Sequence, residues 1–224
     1  YQKTLVVKTQ TTISPTIKNI KDKYVETVGD NVIFTGLDPA TSQSREMIYG
    51  LPLSVDTLAL YYNKDLLDQA GIAEAPKTWE DFQKAIKKLT KINPDNTILR
   101  SGAALGTGKN VLRSVDILSL LMMQNGTRMT NDAGYPTFHL IPPGSNLPLP
   151  PGEQALQFYT DFAQPTKEVY TWNATMQESL DAFVRGQTAF FFGYAYHLPF
   201  IRARAPKLNF SIAPAPQVNP QLPV

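Results

Sequence analysis

The sequence predicts an α/β fold, in which helices cover a sheet and the two kinds of element alternate along the chain. Segments rich in strand-favouring residues, such as 57–63 and 188–192, are each followed by a segment that predicts a helix. The 224 residues suffice for one large domain or two small ones with an apolar core. Hydrophobic residues make up 42% and charged residues 18%, the ordinary composition of a globular protein.

The first part of the chain predicts only short elements. Residues 4–7 favour a strand, and residues 17–28 favour a short helix. Residues 47–49 predict a strand that Gly50 and Pro52 interrupt. The pattern up to residue 45 is otherwise weak, and clearer signals begin at Met47.

The middle of the chain predicts two strand–helix steps. Residues 57–63 favour a strand, and residues 64–70 a helix that ends before Gly71 at a C′ position. Thr78 is a natural N-cap for the next helix. Apolar residues recur at helical spacing after it, which predicts one buried face: Phe82, Ala85, Ile86, Leu89 and Ile92.

Two further apolar helices flank a long loop. The first covers about residues 112–124, with Val115, Leu118, Leu121 and Met122 expected to face inward. Residues 127–152 predict a surface loop, because positions 142–152 hold five prolines and two glycines. The second helix covers residues 153–163, and its apolar face comprises Ala155, Leu156, Phe158, Tyr159 and Phe162.

The last part of the chain predicts two helices and two strands. Thr175 and Glu178 have the spacing of a capping box, which predicts a helix after them that Gly186 ends. Residues 188–192 favour a buried strand, 197–205 a short helix, and 209–213 a final strand.

Several classes of function lack support in the composition. The net charge of +2 is too small to favour nucleic acid as a partner. The chain has no cysteine and two histidines without ligand-spaced partners, so we predict neither a structural zinc site nor any cofactor. No apolar stretch approaches the roughly 18 residues of a membrane span. The sequence G-T-G-K at 106–109 departs from a phosphate-binding loop at Ala103 and Asn110, which favours a plain glycine-rich turn.

Two sets of residues could carry chemistry. Tyr194 and Tyr196 follow an aromatic strand, and each has an apolar face and a polar tip suited to stacking on a sugar ring. They could equally complete the core. Asp56 and Asp116 could serve as the carboxylate pair of a glycoside hydrolase, although acidic residues are common and nothing pairs these two in the sequence.

The order of motifs resembles the family 1 extracellular solute-binding proteins of ABC importers, a maltose-binding-protein-like group. Five segments carry the resemblance, at 48–52, 54–67, 76–82, 179–193 and 209–214. The resemblance implies a type II periplasmic-binding-protein-like α/β fold of two lobes joined by crossover strands. On this basis residues 1–55 are part of the first lobe and a crossover, 56–206 the second lobe, and 207–224 the returning crossover. The chain is then expected to be truncated at both ends.

The resemblance also implies a function and a set of binding residues. The protein would bind a carbohydrate in the cleft between the lobes, act as a monomer without catalysing a reaction, and deliver the solute to a membrane permease. It would be exported to the periplasm or the cell surface, with a lipid anchor as one alternative. The expected ligand contacts are Asp56, Arg113, Ser114, Asp116, Tyr194 and Tyr196, with Trp172 and Asn173 in a loop that could reach the cleft. A peptide or polyamine solute, a glycoside hydrolase, and a fragment without activity remain alternatives.

Overall fold

The computed structural model describes residues 15–221 and 223, and it separates the chain into two units between Val55 and Asp56. The strand expected at residues 4–7 lies outside the described residues. That the first unit belongs to one lobe and residues 56–206 to another stays a prediction.

The described part of the first unit consists of two short helices and a hairpin. Residues 17–28, expected to hold a short helix, contain one short helix and the start of another, because the chain is extended at Tyr24 (φ −121°, ψ 160°) and a second helix begins after Val25. The two strands pair antiparallel, with Ile33 opposite Ile48. The elements are α1 (Ile17–Lys23), α2 (Glu26–Val32), β1 (Ile33–Leu37) and β2 (Ser44–Ile48).

A five-stranded sheet forms the centre of the second unit, in the spatial order β4-β5-β6-β3-β7. Its β5 and β6 run parallel, and the other neighbours pair antiparallel. Because β7 is an edge strand of this sheet, the crossover expected at 207–224 begins inside the second unit, and its return to a first lobe stays a prediction. The strands are β3 (Leu58–Asn63), β4 (Lys91–Ile92), β5 (Ile98–Ala103), β6 (Thr188–Tyr194) and β7 (Phe210–Pro214).

Helices cover both faces of this sheet. Phe190 and Phe192 of β6 pack into one apolar cluster, and Phe191 packs into a second cluster on the opposite face. A strand covered on both sides needs no polar alternation, which explains its continuous aromatic run. The first cluster includes side chains of α3 (Lys64–Gln69), α4 (Trp79–Leu89), α5 (Ser114–Gln124) and α6 (Pro151–Asp161); the second includes α7 (Ser179–Val184) and α8 (His197–Arg204).

Helix α4 forms as its sequence predicts. The Thr78 hydroxyl accepts a hydrogen bond from the Asp81 N–H at 3.1 Å, which satisfies one of the free donors at the start of the helix. Phe82 is fully buried, and its ring contacts the rings of Phe162 and Phe190. Local capping and a single apolar face therefore suffice to place this helix on the sheet.

Three local expectations are wrong. In α5, which begins at Ser114, Val115 is 73% exposed, whereas Ile117 is buried together with the expected Leu121 and Met122. In α6, Leu156 is 43% exposed, and Pro151 begins the helix although we had placed it in the preceding loop. The capping box at Thr175 does not form. Helix α7 instead begins after Glu178, whose carboxylate accepts hydrogen bonds from the Leu180 and Asp181 N–H groups.

The cap of α7 gives the first testable prediction. Glu178→Ala should lower the free energy of unfolding by about 1 kcal/mol, because it removes the acceptor for two N–H groups of the first turn. Thr175→Ala is the matched control and should change it by less than about 0.5 kcal/mol. Chemical denaturation of both variants measures the difference. A larger loss in Thr175→Ala than in Glu178→Ala would show that the capping box forms in solution.

Candidate ligand-binding site

One edge of the central sheet brings together residues that are far apart in sequence. Because β5 and β6 are parallel, their carboxyl ends meet at this edge, and β3, antiparallel to β6, begins there. Asp56 lies two residues before β3, the segment after β5 leads to Arg113, and Tyr194 ends β6. Ligands of α/β proteins bind at such edges, where loops and helix starts converge.

The carboxylate of Asp56 holds the turn that follows β6. Its Oδ1 accepts hydrogen bonds from the Ala195 N–H and from its own neighbour, the Thr57 N–H, each at 2.8 Å. The strand register explains the contact, since Leu58 lies opposite Tyr194 in the antiparallel pair. Asp56 thus joins the start of β3 to the turn that carries the two tyrosines.

The guanidinium of Arg113 lies against both tyrosine rings. Its Cζ is 4.6 Å from the centroid of Tyr194 and 5.7 Å from that of Tyr196, distances at which a cation is attracted by an aromatic face. One of its terminal nitrogens donates a hydrogen bond to the Tyr196 hydroxyl. The other lies 3.9 Å from a carboxylate oxygen of Asp116, one turn into α5.

The backbone of Arg113 is strained. It has φ 63° and ψ 24°, the left-handed conformation that non-glycine residues rarely adopt. Among the contacts of residues 15–221 and 223, its buried Nε has no hydrogen-bond partner. Strain and unmet hydrogen bonding concentrate at functional sites, so both features favour a role for Arg113 beyond stability.

The electrostatic environment favours the protonated form of Tyr194. Burial raises the pKa of Tyr194, and its contact with the Asp116 carboxylate raises it further. The Tyr196 hydroxyl, as hydrogen-bond partner, raises the pKa of Arg113. Tyr196 itself is half-exposed, at 51%. The site therefore offers hydroxyl donors, carboxylate acceptors, one fixed cation and an accessible aromatic ring.

The other expected site residues differ in where they lie. Ser114 begins α5 beside Arg113, and its hydroxyl donates to the Gly108 carbonyl at 3.2 Å. Trp172 is fully buried in the core cluster, where its indole N–H donates to Asn110, so its ring has no accessible face for a solute and we leave it out of the site. The Asn173 side chain bonds within its own loop, to Tyr170 and Thr175.

Sequence reasoning missed one residue of this region. His197 begins α8 and is buried, and its ring stacks on that of Tyr196 with centroids 4.1 Å apart. Its only indication in the sequence is its place directly after Tyr196, since no metal or catalytic motif includes it.

The glycine-rich segment has a structural explanation. Gly106 has φ +106°, and a Cβ there would lie 2.7 Å from the backbone nitrogen of Ala163, so only glycine fits. The Thr107 carbonyl accepts a hydrogen bond from the Tyr159 hydroxyl at 2.7 Å. Packing against α6 therefore accounts for this glycine.

The described part of the chain contains no group of three or more potential metal ligands. None of its helices combines the length and the apolar character that a membrane crossing requires.

A match to a family model identifies the family of this chain. The model of the bacterial extracellular solute-binding proteins matches residues 10–223, nearly the whole chain. The chain belongs to the bacterial extracellular solute-binding protein family. It is 25% identical over 189 residues to a protein of Brucella abortus strain 2308 named as a binding protein. The match covers 82% of this chain and 41% of that protein, so the chain spans less than half the length of this relative.

Two other similar proteins have a sugar in their name or description. This solute-binding protein is 30% identical over 115 residues to the arabinooligosaccharide-binding protein of Bacillus subtilis strain 168, covering 50% of this chain and 22% of that protein. A solved structure, CpMnBP1 with mannobiose bound, is 25% identical and covers 90% of this chain and 49% of its own, with a TM-score of 0.59. The fold class is confirmed as part of a type II periplasmic-binding-protein fold.

The strain at Arg113 is open to a direct test. Arg113→Gly and Arg113→Ala remove the same guanidinium, but only glycine adopts the left-handed backbone without steric cost. We expect the Arg113→Gly protein to be more stable to unfolding than the Arg113→Ala protein by about 1 kcal/mol. Chemical denaturation of the two variants gives this difference directly. Equal stabilities would mean that the backbone at residue 113 is relaxed in solution.

Proposed function

We propose that this protein is the solute-binding component of an ABC importer and that its second unit binds a carbohydrate. The observation that carries the proposal is the cluster of Arg113, Tyr194 and Tyr196 at the sheet edge, with its half-exposed aromatic ring. Family membership and the names of two relatives support it, since one is an arabinooligosaccharide-binding protein and another holds mannobiose.

The chemistry of the cluster suits a sugar. A pyranose presents apolar C–H faces and a rim of hydroxyl groups, so it needs an aromatic ring together with both donors and acceptors. Tyr196 provides the ring, Arg113 provides donors, and the carboxylates of Asp56 and Asp116 provide acceptors. We include Ser114 and Asn173 as flanking polar groups of lesser weight.

The same cluster argues against the alternative solutes. A polyamine needs carboxylates free of competing cations, but Arg113 already lies beside Asp116 and both tyrosine rings. Nothing in the described residues of the cluster favours a peptide over a sugar. A neutral, hydroxyl-rich solute therefore fits this site best.

The proposal has three further parts. The protein delivers its solute to a membrane permease, is exported to the periplasm or cell surface, and acts as a monomer. Membership in the extracellular solute-binding family supports the delivery and the export. The monomeric state is our own proposal. The protein would carry the solute by closing around it and then docking on a permease.

Calorimetric titration of the intact protein tests the carbohydrate proposal. We expect binding of at least one saccharide in a panel that includes mannobiose, maltose and arabinooligosaccharides. Tyr196→Ala should weaken that binding by about 1–3 kcal/mol, the usual cost of losing an aromatic anchor. Tyr135→Ala is the matched control, because Tyr135 is 69% exposed in the loop between α5 and α6.

Three outcomes contradict parts of the proposal. Saccharide binding that survives Tyr196→Ala unchanged would place the site elsewhere. Equal losses in Tyr196→Ala and Tyr135→Ala would point to a general effect on the protein. Tight binding of a peptide or polyamine, with no saccharide bound, would refute the carbohydrate.

A further prediction concerns catalysis. A glycoside hydrolase needs one carboxyl group to donate a proton, but Asp56 accepts two backbone N–H bonds and Asp116 lies beside a guanidinium. We therefore expect no hydrolysis of aryl-glycosides by the intact protein. Product release in a chromogenic assay would contradict this, provided that Asp56→Asn or Asp116→Asn abolishes it and Asp132→Asn, an exposed control, does not.

A further inference from the structure

His197 lies directly beneath the exposed tyrosine of the site. The ring is 3% exposed and lies between two others: Tyr196, stacked at 4.1 Å, and Phe191, edge-on at 5.6 Å. One face of the Tyr196 ring is thereby covered by His197, while the residue as a whole stays half-exposed. Stacking thus fixes the plane of the ring and removes one of its faces from contact with a solute.

A hydrogen bond ties the same histidine to the tyrosine turn. Its Nδ1 accepts from the Tyr194 backbone N–H at 3.0 Å. Because a backbone N–H can only donate, this contact requires an unprotonated Nδ1, and we expect the neutral ring to carry its proton on Nε2. Nδ1 also lies 3.1 Å from the Tyr194 carbonyl, which accepts from the Tyr61 hydroxyl at 2.7 Å and has a second lone pair for a protonated Nδ1.

Gly193 shows how closely the imidazole fits. A Cβ at this position would lie 3.1 Å from His197 Nδ1 and 2.6 Å from a ring carbon of Phe191. Only a residue without a side chain lets β6 pass this near to the ring. The close approach leaves His197 little room to change its orientation.

We propose that His197 is a positioning residue of the binding site, which holds Tyr196 in the orientation that receives the solute. This inference rests on the proposed carbohydrate function. It assigns to His197 no contact with the solute, only the placement of the Tyr196 ring and of the Tyr194 backbone.

Protonation of His197 would change its contact with Tyr194, because a protonated Nδ1 would donate to the Tyr194 carbonyl in place of accepting from the N–H. An imidazolium carries protons on both nitrogens, so Nδ1 could no longer accept from Tyr194. Burial lowers the pKa of His197; the nearby Arg113 lowers it too, whereas the Tyr194 carbonyl and the carboxylates of Asp56 and Glu178 oppose the shift. The other titratable groups that face or border the ring are the hydroxyls of Tyr61, Tyr194 and Tyr196.

The sign of the pH effect follows. An unfolded histidine has a pKa near about 6.5, and the folded value lies below it. The neutral ring therefore contributes its full stabilisation above about pH 6.5 and loses it as the pH falls toward the folded pKa. Solute affinity should fall in acid as well, because the bound state needs the neutral ring.

Calorimetry with mannobiose as the probe, or with the saccharide that binds best in the panel, tests the inference on the intact protein. Wild-type affinity should decrease several-fold from about pH 8 to about pH 5, the range in which histidines titrate. His197→Phe keeps a flat ring but has no acceptor and no proton to bind. We expect its affinity to be about tenfold lower at neutral pH and to lose the acid-dependent decrease.

His139→Phe is the matched control, because the chain has two histidines and His139 is exposed in the loop between α5 and α6. It should keep both the wild-type affinity and the acid-dependent decrease. If His197→Phe behaves as wild type in both respects, or if His139→Phe removes the pH dependence, the inference is overturned.

NMR spectroscopy of the unliganded wild-type protein separates this inference from the proposed function. The His197 ring nitrogens should show the tautomer protonated on Nε2, and the Tyr194 amide shift should follow the His197 titration. If no saccharide binds, the carbohydrate proposal fails, and these two signals alone decide whether His197 holds the turn. A ring protonated on Nδ1 at neutral pH, or a Tyr194 amide that ignores the titration, would overturn it.

Discussion

The antiparallel pairing of β3 with β6 is the interaction on which the second unit depends. It sets Leu58 opposite Tyr194. The segment that precedes β3 and the segment that follows β6 therefore lie side by side at one edge of the sheet. Asp56 can therefore bond the Ala195 N–H although the two residues are 139 positions apart. A shift of one residue in this register would turn every side chain of β6 to the other face. Both the site and the core would then be lost.

The aromatic run of β6 links that pairing to both helical layers. Phe190 and Phe192 bind the strand to the layer of α4, α5 and α6, whereas Phe191 packs with α7 and α8 and touches the ring of His197. The core is thus in continuous contact with the candidate site, because His197 in turn stacks on Tyr196. The orientation of the Tyr196 ring is in this way tied to Phe191, a buried side chain of the strand, through His197.

Most of the central sheet could be predicted from the sequence, because β3, β6 and α4 are specified by local patterns. The start of α7 could not, since Thr175 is a preferred N-cap type and Glu178 is not, yet the carboxylate of Glu178 caps the helix. Family resemblance proposed Asp56, Arg113 and Tyr196 as ligand contacts, and the structure brings these three residues together at one edge of the sheet. That they bind a solute stays a prediction. Whether a tryptophan such as Trp172 lies in the core depends on distant residues, and no local pattern encodes that.

The site gathers features that reduce stability, and they are concentrated around one cation. Arg113 has a strained backbone and a buried Nε without a partner among the described residues, and His197 is held neutral beside it. The strained backbone and the buried Nε each cost folding free energy that a plainer surface would not. The fully buried aromatic residues of the two core clusters offset such costs, so the fold can keep a strained edge. Strain of this kind persists only where surrounding structure over-determines it, and here the packed strand β6 provides that support directly beneath the tyrosines.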